Sequence, residues 1–277
     1  MVDWWLKVQR AEKHMVDINQ EAMRYAESHP YTCDRIYFFD TEDTIWGRFH
    51  ITKQPDPMIA IMLGDFIHNL RSALDWVVVA CSPRKHRFKA GFPIISKDIF
   101  AKDANGDFVV DDTERQHFET ALQGLCPEAR AIVVGLQPYH MGTNSHRAIL
   151  GLISRLENAD KHRELITIGC GGRDIRANLI IPNFPREIEL PDVLATGEDF
   201  LKDNTLVRYV IPPKVLSYVH PAEVDVHLVG TVKVLVKVAR ASGDQAPNFY
   251  LIDSIMGMAL SEVKGILRDM ETFFRID

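Results

Sequence analysis

The chain has 277 residues, of which 46% are hydrophobic and 25% charged, and a formal net charge of -6. That is enough apolar side chain for a core without disulfide or metal staples, and the acidic balance argues against nucleic-acid binding over a broad basic face. The four cysteines, Cys33, Cys81, Cys126 and Cys170, lie far apart without a Cys-x-x-Cys pair, which points to buried thiols in a reducing compartment.

Residues from about Asp3 to Ser28 read as a helix that His29-Pro30 ends. The opening residues lack the basic-then-apolar pattern of a signal peptide, and no stretch reaches the roughly 18 apolar residues of a membrane span. The expected location is therefore the cytoplasm, with no membrane partner. Cys33 to Phe39 and Thr44 to Thr52 read as strands around the polar turn Asp40-Thr41-Glu42-Asp43, which makes a hairpin. Gln54-Pro55-Asp56-Pro57 opens a second helix at about Met58 to Cys81.

Residues Ser82 to Asp112 read as irregular and include the basic run Arg84-Lys85-His86-Arg87-Phe88-Lys89, expected as a solvated loop or a phosphate contact. A third helix, about Thr113 to Leu136, is expected to break near Cys126-Pro127. Gly142-Thr143-Asn144-Ser145 supplies caps for a fourth helix at about His146 to His162. The pattern then alternates. Leu165 to Ile168, Arg176 to Ile181, Leu206 to Ile211 and Val224 to Val238 read as strands, with Gly169-Cys170-Gly171-Gly172 as a turn and Ile181 to Thr196 as a surface loop. A final helix spans about Leu251 to Phe274. The fold expected is α+β: a helical bundle core (about 58–163 and 251–274) with an antiparallel sheet made from the N-terminal hairpin and strands inserted before the last helix (about 33–52 and 165–240). Strands lie between helices at both ends of the chain, so one interleaved domain over 1–277 is expected.

The second helix is the most informative. At about 100° per residue, Leu63, Phe66, Leu70, Ala73, Leu74 and Val77 share one face and Asp65, His68, Arg71, Ser72 and Asp75 the opposite one. Ile61 and Val79 close off this polar stripe at its ends, so it forms an island on an apolar helix. Buried polar groups are costly unless paired. Either Arg71 is held between Asp75 and an acid from elsewhere, or His68 and Arg71 line a site. The fourth helix carries a second island, with Arg155, Asn158 and His162 on one stripe that begins with Ala148 and Gly151. Lys161, His162 and Arg163 would in any case complement the negative end of the helix dipole. One shared site needs less compensation than two, so the second and fourth helices are expected to pack together with Gly151 at the close approach.

The segments His68 to Trp76 (HNLRSALDW) and Asn158 to Arg163 (NADKHR), with Phe92-Pro93-Ile94 and Leu136 to His140 between them, resemble a group of uncharacterised bacterial proteins over most of the chain from residue 60 onward. The spacing of Arg155 and His162, with six residues between them, resembles more distantly the HEPN superfamily of helical RNA-cleaving and nucleotide-binding proteins. Those carry an Arg, four to six residues, and a His near a helix end, with a polar residue after the Arg where this chain has Leu156. The resemblance implies metal-independent phosphodiester cleavage of RNA or nucleotide processing, with no cofactor, in a site across a homodimer. His162 would move the proton and Arg155 would hold the phosphate, assisted by His68 and Arg71. Asn158, Lys161, Arg163 and Asp75 would contact substrate. The alternative is a non-catalytic binding or interaction protein in which the same cluster is a structural network.

Other signals are weaker. Asp103 to Glu114 has ligand spacing like that of an EF-hand loop but Phe108 at the sharp turn, so an Asn-Gly turn is expected there in place of a calcium site. The histidines show no zinc-like spacing, and no metal is expected.

Overall fold

The computed structural model describes residues 3–36, 44–102, 105, 112–161, 166–180, 188–189, 205–210, 225–238 and 248–274. Two compact units emerge, each discontinuous in sequence: residues 1–19, 58–167 and 236–277 form the first, and residues 20–57 and 168–235 the second.

Helix α1 (Asp3–Glu27) belongs to the first unit as far as Asn19. The rest of that unit is α2 (Met58–Cys81), α3 (Asp112–Leu122), α4 (Pro127–Gly135), a 3-10 helix (Pro138–Arg147), α5 (Ile149–Lys161) and, after the second unit, α6 (Ile252–Glu271). Helix α2 is central and packs against both α5 and α6. Its predicted apolar face is fully used: Leu63, Phe66, Leu70, Ala73, Leu74 and Val77 are all buried. The partner face of α6 repeats at helical spacing through Ile252, Ile255, Met256, Ala259, Val263, Ile266 and Met270, all buried. Side chains of α1 close on α6, where the Trp5 indole N–H donates to Glu271 (3.2 Å) and Lys264 pairs with Glu12.

The second unit carries β1 (Tyr31–Ile36), β2 (Thr44–Ile51) and β5 (Thr205–Val210). They form an antiparallel sheet in the order β1-β2-β5, with Tyr31 opposite Ile51 and Thr44 opposite Val210. The expected hairpin is thus joined by an inserted strand. The Tyr25 hydroxyl donates to the Lys53 carbonyl at 2.7 Å, tying the end of α1 to the exit of β2. A second sheet has the order β4-β3-β6-β7, from β3 (Thr167–Ile180), β4 (Ile188–Glu189), β6 (Asp225–Val238) and β7 (Asn248–Leu251). The architecture is α+β, a helical core with an antiparallel sheet assembled from distant stretches.

Three expectations are corrected. The fourth helix begins at Ile149 and not at His146, because Ala148 has extended backbone (φ -59°, ψ 137°) and separates the 3-10 turn from α5. Gly169 to Gly172 is not a turn but lies within β3, a strand flanked by β4 and β6 in its sheet. The stretch expected as surface loop at 181–196 contains β4, paired antiparallel with β3 through Leu179 and Ile188. The EF-hand-like segment falls mostly outside the described residues, and among the described residues no helix is long and apolar enough to cross a membrane.

Candidate functional site

Arg71 is the hub of the site. Asp75 follows it by one turn of α2, and the spacing of four brings Asp75 Oδ1 to 3.1 Å from Arg71 Nη2. The second acid arrives from α5: Glu157 Oε2 lies 3.3 Å from Arg71 Nε. The Glu157 side chain is only 7% exposed and that of Arg71 18%, so this pair is largely withdrawn from water. Each charge is tolerated there because the other compensates it. Arg71 Nη1 is also buried and has no hydrogen-bond partner. Leaving such a donor unmet costs roughly 1–3 kcal/mol.

His68, one turn before Arg71, stands on the rim. It is 57% exposed, its Nδ1 is 4.0 Å from Glu157 Oε1, and its Nε2 is 3.5 Å from the Ser72 hydroxyl. The predicted packing of the second helix on the fourth is therefore present, and its polar contact is made by Glu157.

The same Asp75 carboxylate has a further task. Its Oδ1 accepts the Phe92 backbone N–H at 2.9 Å. A Cβ on the preceding residue, Gly91, would stand 3.3 Å from that oxygen, so a larger residue there would press on the Asp75 carboxylate. Three residues of chain later a second clamp takes over. The buried Gln137 amide accepts from Ile95 N–H and donates to the carbonyls of Pro93 and Val133, each at 2.9 Å. The Tyr139 N–H adds a bond to the Ile95 carbonyl at 3.2 Å. A segment outside any helix or strand is thus held by the Asp75 and Gln137 side chains, with backbone bonds from Gly91 N–H to the Ala121 carbonyl (3.4 Å) and from Tyr139 N–H.

That segment walls a cleft of about 510 Å3. Arg71 lies on one side, and Glu114, His117, Phe118 and Ala121 of α3 on another; Ser96 and Lys97 continue the wall. The lining mixes apolar surface from Phe92, Ile94, Ile95 and Phe118 with three nitrogen side chains and one acid. The phenol of Tyr139 is pushed above its ordinary pKa by burial and, less, by the Asp98 carboxylate.

The remaining predicted residues are distributed differently. Arg155 turns back along α5, its Nε donating to the Gly151 carbonyl at 3.4 Å. Asn158 is exposed. Lys161 ends α5, its side chain outside the described residues, and His162 and Arg163 lie outside them altogether. Gly151 does mark a close approach, but to the 3-10 helix and not to α2. A Cβ there would meet the Ser145 carbonyl oxygen at 2.8 Å and Pro138 at 3.8 Å. The reason is the break at Ala148, which folds the 3-10 turn back over the start of α5.

Glu157, Gln137, Lys97, Glu114 and His117 were not singled out from the sequence. For Glu157 a signal existed: with Leu150 and Ile153 it occupies the buried stripe of α5 at spacings of three and four. An acid on an apolar stripe asks for a partner. Gln137 sits outside any periodic pattern and gave none. Among the described residues no group of three or more His, Cys, Asp or Glu could hold a metal ion. No family model, no curated protein and no solved structure matches the chain.

Proposed function

We propose that this chain is a non-catalytic binding protein in which the Arg71 cluster is a structural network that builds and holds the wall of a small-molecule cleft. One observation carries the reading: Arg71, on the lining of the cleft, is gripped by Asp75 and Glu157. A guanidinium held by two acids is poorly placed to swing onto a scissile phosphate. It is well placed to fix α2 against α5, and through Asp75 to hold Phe92 in the cleft wall. The test is a double-mutant cycle in urea using Arg71→Met, Glu157→Met and both together. Each single variant is expected to cost about 3–5 kcal/mol by stranding a buried charge, and the double variant to recover part of that loss. Single variants as stable as the parent would remove the network reading.

A second reading is RNA cleavage of the HEPN kind with Arg155 and His162, assisted by His68 and Arg71. The packing of α2 on α5, which puts His68 beside Glu157, is what supports it. It expects His162→Ala to abolish RNA cleavage without loss of stability. Equal cleavage by parent and variant, or none by either across several RNAs, removes it.

A further inference from the structure

We infer that the cleft beside Arg71 takes a small monocarboxylic acid with an apolar body, such as a phenylalkanoate or a medium-chain alkanoate. The inference rests on the binding reading above and gives it a ligand class. A volume of about 510 Å3 suits a molecule of that size, within the several-hundred-Å3 range of pre-formed ligand sites. Most of the wall is hydrocarbon from Phe92, Ile95 and Phe118, so the body of the ligand is apolar. The polar end is set by Arg71 and Lys97, the two permanent cations of the lining.

Charge narrows the head group. Asp75 and Glu157 already neutralise the guanidinium, at 3.1 and 3.3 Å. Arg71 therefore brings little unbalanced charge to the cleft. Lys97 supplies one further positive charge and Glu114 one negative. A dianion such as a phosphate monoester would meet Glu114 on the lining and, behind Arg71, the two acids that already balance it. A single carboxylate supplies one charge for Lys97 and is repelled less. The apolar wall excludes small hydrophilic acids, which would leave that surface uncovered.

The experiment is titration calorimetry of the full chain with 4-phenylbutyrate and octanoate, against 4-phenylbutyramide, phenyl phosphate and acetate. Saturable one-to-one binding of the two apolar acids is expected, at least about tenfold tighter than the amide, the phosphate or acetate. Ala121→Trp fills the cleft from α3 without touching Arg71, Asp75 or Glu157, and is expected to abolish binding. Lys97→Glu, at an exposed position, is expected to weaken it about tenfold or more. Thermal unfolding of both variants checks that they fold. Binding that survives in folded Ala121→Trp, binding unaffected in Lys97→Glu, a phosphate or amide bound as tightly as the acid, or no saturable binding of either acid each overturns the inference. The urea cycle separates the two levels. If it shows coupling while no acid binds, the network stands and the ligand class falls. If it shows none, the network itself is wrong.

Discussion

At the scale of single residues, polar groups inside the first unit determine more than their number suggests. Gln137 satisfies three backbone groups at once, two of them on the cleft wall. Gln137→Leu, close in volume, would strand the Ile95 N–H and the Pro93 carbonyl and is expected to cost about 2–4 kcal/mol in denaturant unfolding. Glutamate at this position should do little better, since it keeps an acceptor for Ile95 but loses both donors. His14 behaves differently. It is buried on α1, and burial first, then Arg10, lowers its pKa below 6.5, against smaller opposing effects from Asp65 and Asp17. The folded state therefore binds that proton less readily than the unfolded chain. Its contribution is intact above pH 6.5 and is lost as pH falls from there through the lowered folded value. His14→Gln should flatten the decline in melting temperature between pH 7 and pH 5; an unchanged slope would assign the decline to other groups.

At the scale of elements, legibility followed periodicity. The limits of α2 and the burial of its apolar face follow from a continuous 3.6-residue pattern after a proline pair. Arg71 and its hold on Asp75 were legible for the same reason, since both lie on one helix. Glu157 is on another helix, so the pairing depended on a packing that only tertiary structure provides. The start of α5 was misplaced because Thr143, Asn144 and Ser145 look like caps while the chain uses the region for a 3-10 turn. That turn leaves a testable mark at Gly151, where a Cβ would press on backbone and not on a movable side chain. Gly151→Ala is expected to destabilise by about 1–3 kcal/mol in urea, despite the better helix propensity of alanine. A stabilised variant would show that α5 and the 3-10 helix can separate at little cost.

At the scale of the whole molecule, helix α1 contributes residues to both compact units. The first unit draws on three separate stretches of chain. Helix α6 fills its core with Ile255, Met256, Val263, Ile266 and Leu267, each nearly inaccessible to solvent. Burial of such side chains is worth about 1.5–3 kcal/mol apiece, so their joint loss exceeds the stability of most domains. A chain ending at residue 247 is expected to lose the cooperative unfolding of the helical unit, read as disappearance of the near-ultraviolet dichroism of Trp4 and Trp76. A sharp thermal transition in that truncated chain would contradict the central place of α6.

The ion pair between Lys264 and Glu12 joins residues 252 apart in the chain. On a ribosome moving at about 5–20 residues per second, the first helix would wait roughly 13–50 s for the last one. During that interval Trp5 and Glu12 on α1 lack their partners Glu271 and Lys264. Slowing synthesis would lengthen that interval.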